Sequence, residues 1–418
     1  MLKYPITPEY LQKAPNKVVA LYAELEDKII TDLCSRLQMS NGEITGTAVK
    51  RLLALRRRGY DMNEIIKAIT QTTGIAEKNV IEALNDVISK SNGYYTGLYN
   101  ATGTDLDYSF LDQEVNEIKR QTLGRFVNLS NTLGFTIRKL DGTVEWTPLN
   151  KVYATVIDQA IMQAESGMSY NECIRSAVNQ LTNSGITTVE YANENGIRKQ
   201  HRNKVDVAAR RNVMTAITQI SNKYAEQAAD DLKTPYVETT AHAGARDKDG
   251  PLGWENHEKW QGKVYSYYSG DKYPSFYEKC GYGDVQGIGG ANCRHSFYAF
   301  VEGVSQRTYS DADLERLKKK VTYNGKTMSQ YEASQYMRKA ETKLRDLKRK
   351  MLGESASGDE ESYLKHAAKY KAIKSEYKDF VKQTGLRNQL DDRAFVIGWG
   401  AKEAREAQLA LMKAAEQK

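Results

Sequence analysis

The 418-residue chain has no window of 18 or more uncharged apolar residues, so it offers no membrane-spanning helix. Its first residues, "MLKYPITPEYLQKAPNKVV", lack a basic start followed by an apolar core, so no secretory signal is expected. Cysteine is scarce. Four in the whole chain do not make a disulfide framework and point to synthesis in a reducing cytoplasm. Charge is weakly biased: a formal +7 permits contact with nucleic acid without requiring it. Phenylalanine is outnumbered by tyrosine, 8 against 27, which favours half-wet packing and protein contacts, because the ring buries while the hydroxyl finds a partner. No internal repeat is visible. What is present is a polar-leaning globular composition, 40% hydrophobic and 27% charged, long enough for two or three units.

The first 180 residues read as successive helices. Val18, Tyr22, Leu25, Ile29 and Leu33 step by four, three, four and four, which places them on one helical face. Asn16 is the candidate N-cap. A second helix, "TAVKRLLALRRRGYD", ends on Arg56, Arg57 and Arg58, which complement the helix dipole. Further helices are predicted near 61–73, 76–91, 110–133 and 148–183, with glycine-rich 92–105 as a loop between layers. The pattern changes at Gly185. "ITTVEYANENGIRKQHR" alternates β-branched and polar residues around Asn-Gly and predicts a hairpin. A helix through Val213, Ile217, Ile220 and Tyr224 and a strand ending near His242 follow. The fold class predicted is α+β, mostly helical: a helical N-terminal region (1–145), a central α+β unit (146–305) and a C-terminal helical hairpin (306–418).

Rare residues gather in the central unit. Three of five histidines (His242, His257, His295), two of four cysteines (Cys280, Cys293) and two of four tryptophans (Trp254, Trp260) lie between 242 and 295. Zinc takes mixed sulfur and nitrogen ligands. The spacing lacks C-x-x-C and H-x-x-x-H pairs, and the two cysteines are thirteen apart, so the sequence predicts no metal and no cofactor. Cys293 with a histidine base would be a nucleophile pair, but no cysteine-hydrolase signature surrounds it. The favoured reading is a structural network. Arg294 and the histidines bond carbonyls or carboxylates, and Gly287, Gly289 and Gly290 supply turns closed to other residues.

Four blocks in this region resemble the minor capsid proteins of tailed bacteriophages, most of all a family common in phages of Gram-positive bacteria and related to Mu F-like minor head proteins. They are Ala241–Arg246, the His-x-x-Trp-Gln-Gly block from His257 through Trp260 to Gly262, the Tyr282-Gly283 turn, and Asn292-Cys293-Arg294-His295. The stretch 247–255 is longer than the pattern leads one to expect. The resemblance covers roughly 150–395. It implies a virion protein inside the head near the portal, with portal, major capsid or scaffold proteins as partners and packaged double-stranded DNA as a further candidate. It brings no chemical activity with it. The residues carried over as a signature are His242, Arg246, His257, Trp260, Gly262, Cys280, Asn292, Cys293, Arg294 and His295.

Beyond 305, Met337, Leu344, Leu347 and Met351, then Tyr370, Ile373, Tyr377 and Phe380, step as two helical faces separated by "GESASGDEES". They predict an antiparallel helical hairpin, followed by an alanine-rich helical tail. Seven basic residues against two acidic lie between 338 and 350. Arg338, Lys339, Lys343, Arg345, Lys348, Arg349 and Lys350 are therefore candidate contacts to DNA or portal, set against the plainer reading of a solvated helix face. Three functions compete: a portal-associated structural protein, an ejected effector enzyme using the His/Cys cluster, and a DNA-binding organiser of the head interior. Relatives that carry enzymes append them C-terminally, and the chain is expected to have no room for one.

Overall fold

The structure is a computed structural model that describes residues 4–40, 46–105, 109–194, 197–268 and 272–388, with three isolated positions beyond. It begins with α1 (Pro8–Lys13), α2 (Asn16–Ser35), α3 (Ala48–Arg58), α4 (Asn63–Thr102) and α5 (Ser109–Asn131). A hairpin of β1 (Leu133–Arg138) and β2 (Val144–Pro148) leads to α6 (Leu149–Glu165) and α7 (Tyr170–Ser184). Next come β3 (Ile186–Glu194), β4 (Ile197–Lys204) and α8 (Val205–Asp231). The signature region holds β5 (Tyr236–Thr239), α9 (His257–Trp260), β6 (Val264–Ser266), α10 (Phe276–Cys280) and β7 (Phe297–Ala299). The chain continues through α11 (Asp311–Leu317), β8 (Val321–Tyr323), β9 (Lys326–Met328), α12 (Gln330–Ser357) and α13 (Glu360–Thr384). The mostly helical α+β class holds, and all described strand pairs are antiparallel.

Several expectations change. Residues 63–102, which take in most of the predicted loop 92–105, form one 40-residue helix, α4, that closes at Gly103. Tyr94, Tyr95, Leu98 and Tyr99 recur at helical spacing and are buried there, and that packing outweighs the cost of internal glycine. The helix expected over 148–183 is two. Ser169 starts α7 with a capping box to Glu172, and Gly167 and Met168 sit in the break. The β1–β2 hairpin lies inside the stretch read as helical. Asn16 does not cap α2. Its side-chain oxygen accepts from Arg210 instead. The hairpin β3–β4 is present, while its turn, Asn195-Gly196, lies outside the described residues, as does most of the alanine-rich tail.

One contiguous apolar core runs from Ile6 to Ala299 and contains α8, whose buried face extends from Val205 to Ala229. The expected division at 145 passes through β2. A second core joins α12 and α13 through Met337, Leu344, Met351, Tyr370, Tyr377 and Phe380, the two faces read from the sequence. The turn between these helices is tight: Gly358 is left-handed and Asp359 caps α13. Many tyrosines are interior rather than half-wet. Tyr22, Tyr95, Tyr99, Tyr298 and Tyr377 are among the largest fully buried side chains. The Tyr298 hydroxyl bonds both the N–H and the carbonyl of Ile6, at 2.9 and 3.0 Å, and its ring stacks on Tyr4 at 4.0 Å. The chain's start is thereby fastened to the central sheet.

Candidate functional site: a buried histidine and cysteine cluster

Sheet register brings the signature together. β5 pairs with β6 and with β7, Val237 opposite Tyr265 and Ala299, and the β5–β7 ladder extends through the Thr240 N–H to the Ser296 carbonyl at 2.8 Å. His242 and His295 therefore leave the sheet at the same end. α9, which precedes β6, delivers His257 and Trp260 to that end as well.

The glycine-rich stretch is a run of tight turns. α10 ends at left-handed Gly281, and turns close from Asp284 N–H to Gly281, Gly287 N–H to Asp284, Gly290 N–H to Gly287 and Cys293 N–H to Gly290. Gly287 is forced by close approach: a Cβ there would lie 1.9 Å from the Gly281 carbonyl oxygen. Arg246 ties this loop down, donating to the carbonyls of Gln286 and Ala291.

At the centre, Cys293 Sγ lies 3.7 Å from His257 Nδ1 and 3.4 Å from His295 Nδ1. His257, Cys293 and His295 are buried, and one potential ligand atom from each falls within 4.8 Å of the others. The outer nitrogens are spoken for. His257 Nε2 meets the Gln286 carbonyl at 2.8 Å, and His295 Nε2 meets Gln261 Oε1 at 3.0 Å. Gln261 Oε1 also accepts the His242 backbone N–H at 2.9 Å. Trp260 walls the cluster, its ring 4.6 Å from His257 and 4.8 Å from His295, and its indole N–H bonds the Trp254 carbonyl at 2.9 Å. The His242 ring stacks on His295 at 4.5 Å.

Burial sets the protonation states. It lowers His242 to about 3, with Arg294 next in effect, and His257 to about 4. It holds His295 well below the usual imidazole range and pushes the Cys293 thiol up. The imidazoles are neutral at physiological pH. An upward shift is opposite to what activates a cysteine nucleophile.

The remaining signature residues have separate places. Cys280 is fully buried in the main core, outside the triad. Asn292 is exposed in a left-handed conformation. Gly262 is left-handed and packs closely against Ala241 and Leu314. Arg294 is half-buried and reaches His242 Nδ1 at 3.2 Å and Gln12 Oε1 in α1 at 2.8 Å. Gln12 gave no sequence signal. Gln261 stood in the His-x-x-Trp-Gln-Gly block, but nothing local showed that it would join two histidines.

The basic run divides. Arg349 is fully buried against Glu26, Lys348 is buried, and Arg345 pairs with Asp206. Lys348 and Arg349 are internal, while Arg345 is half-buried. Arg338, Lys339 and Lys343 are exposed, and Lys350 is half-buried.

Residues 6–382 match the family described as phage minor capsid protein 2. The chain belongs to that family. It is also 22% identical, over 314 residues, to a structural protein of Lactococcus phage LL-H, covering 70% of this chain and 79% of that one. No solved structure matches it. The minor capsid protein is thus a structural component of a phage particle, and the family suggests association with other head proteins. No described helix is long and apolar enough to cross a membrane.

Proposed function

We propose that this minor capsid protein is a portal-associated component of the head interior that supports assembly or DNA passage, and that its signature cluster serves architecture rather than turnover. The observation that carries the reading is where the signature side chains are spent. Arg294 holds α1 to His242, Arg246 holds the glycine loop, and Gln261 joins two histidines. Docking falls to the N-terminal helices, where Leu53 on α3, Ile66, Ile75 and Ile81 on α4, and Val127 on α5 are exposed. Deleting residues 1–140 is not a clean test, because Tyr4, Ile6 and α2 are built into the core. Surface changes are. Ile66→Lys, Ile75→Lys and Ile81→Lys together should leave the purified protein folded and reduce its copy number in heads. Normal incorporation of the folded triple variant would sink the docking assignment.

A second reading, a DNA-organising surface, draws on the exposed Arg338, Lys339 and Lys343 of α12.

A further inference from the structure

The geometry points to a zinc-class metal site at His257 Nδ1, Cys293 Sγ and His295 Nδ1, with the fourth position open to a neighbouring cavity. It goes beyond the architectural reading and does not depend on it.

The first argument counts hydrogens. A carbonyl only accepts, so the His257 Nε2 facing Gln286 carries that neutral ring's proton. Gln261 Oε1 already accepts from the His242 N–H, so the His295 Nε2 beside it is also the protonated nitrogen. Both Nδ1 atoms then present lone pairs to the same sulfur. A thiol has one hydrogen and can satisfy only one of them. Two imidazole lone pairs and a sulfur in a buried pocket leave one acceptor unmet, at a cost that native interiors avoid. A cation between the three removes the conflict.

The second argument is metric. Tetrahedral zinc with Zn–S of about 2.3 Å and Zn–N of about 2.05 Å sets sulfur and nitrogen about 3.5 Å apart. The two Sγ–Nδ1 separations, 3.7 and 3.4 Å, bracket that value. The third is the surrounding shell. Metal-bound histidines usually donate their other N–H to a carbonyl or carboxylate, which fixes the tautomer. The Gln286 carbonyl and the Gln261 amide oxygen do this here. Binding would release the thiol proton and leave a thiolate ligand.

The open side faces a cavity of about 180 Å³ whose lining includes His242, Arg246, Arg294 and Arg338. Three guanidinium groups there favour water, hydroxide or a small anion as the fourth ligand. Spacing rules missed the site because they look for paired ligands on one local segment, whereas these donors come from α9 and from the loop before β7.

The test uses the full chain. Elemental analysis after expression with zinc and desalting should give one zinc per chain, lost in Cys293→Ser and in His257→Ala and kept in Cys280→Ala. Cobalt(II) added to metal-free wild type should produce thiolate-to-cobalt absorption that saturates at one equivalent. If Cys293→Ser or His257→Ala fails to fold, the wild-type cobalt spectrum decides alone. Absence of that absorption, zinc retained by Cys293→Ser, or zinc lost from folded Cys280→Ala would each overturn the assignment.

Discussion

The guanidinium of Arg349, on α12 and fully buried, lies 3.3 Å from the carboxylate of Glu26 on α2, whose other oxygen accepts the Ile186 backbone N–H at 2.7 Å where β3 begins. Asp346 flanks the same arginine and is held in turn by Lys204 at 3.0 Å. One ion pair thus fastens the C-terminal hairpin to the main core and to the four-stranded sheet. Removing one partner leaves a buried charge unmatched. Arg349→Met should destabilise by about 3–5 kcal/mol, and Glu26→Gln added to it should recover much of the loss, because the neutral amide oxygen still accepts the Ile186 N–H and leaves no buried carboxylate unmatched. Urea unfolding of the single and double variants measures both. Equal or greater loss in the double variant would contradict the pairing.

Beside that pair, Asp27 is buried and raised to about 8 by desolvation first and by Glu26 next. Glu354, on α12, is raised to about 7, again mainly by burial. Both folded values lie above the unfolded ones. The stability they contribute is therefore complete below about pH 4 and is lost as pH rises through 7 and 8. The melting temperature should fall between pH 5 and 9, and Asp27→Asn should flatten most of that slope, worth about 3–5 kcal/mol at the alkaline end. A slope unchanged in Asp27→Asn would show that the carboxyl is ionised in the fold.

Arg294→Ala breaks the bonds to Gln12 and His242. The expected cost is about 1.5–3 kcal/mol. Because the Gln12 bond anchors α1, limited proteolysis should cut first near the N-terminus, and incorporation into heads should fall with the melting temperature. A stable, normally packaged but non-infectious variant would favour an active role for the cluster instead.

Gly287→Ala sets a methyl group against the Gly281 carbonyl. The loop must shift, at about 1–3 kcal/mol, and Cys293 shifts with it. Thermal unfolding should show the loss, and cobalt binding should weaken in parallel. A variant as stable as wild type would mean that the turn run is not the constraint on Cys293.

On DNA, neutralising Arg338, Lys339 and Lys343 together should lower the salt dependence of duplex binding by about 0.9 for each phosphate that is no longer neutralised. Lys348 and Arg349 face inward and should act through stability alone. A salt slope indifferent to the three exposed residues would remove the DNA-organising reading.

The amino-acid sequence determined what depends on local spacing. The faces of α2, α12 and α13 follow from 3.6-residue periodicity, the β3–β4 hairpin from alternation, and the family from four blocks of residues at set intervals. Contacts between distant segments were decided only by the tertiary structure. Residues 92–102 carry the glycines of a loop, and only packing against the core made them helix. Arg345 and Arg349 read as a charged surface because their partners, Asp206 and Glu26, lie more than a hundred residues away. The triad has the same cause. His257 is 36 positions from Cys293, and no spacing rule could orient two Nδ1 atoms towards one sulfur. A sheet register did that, by ending β5 and starting β7 at the same edge, with Gln261 and the Gln286 carbonyl fixing the rings.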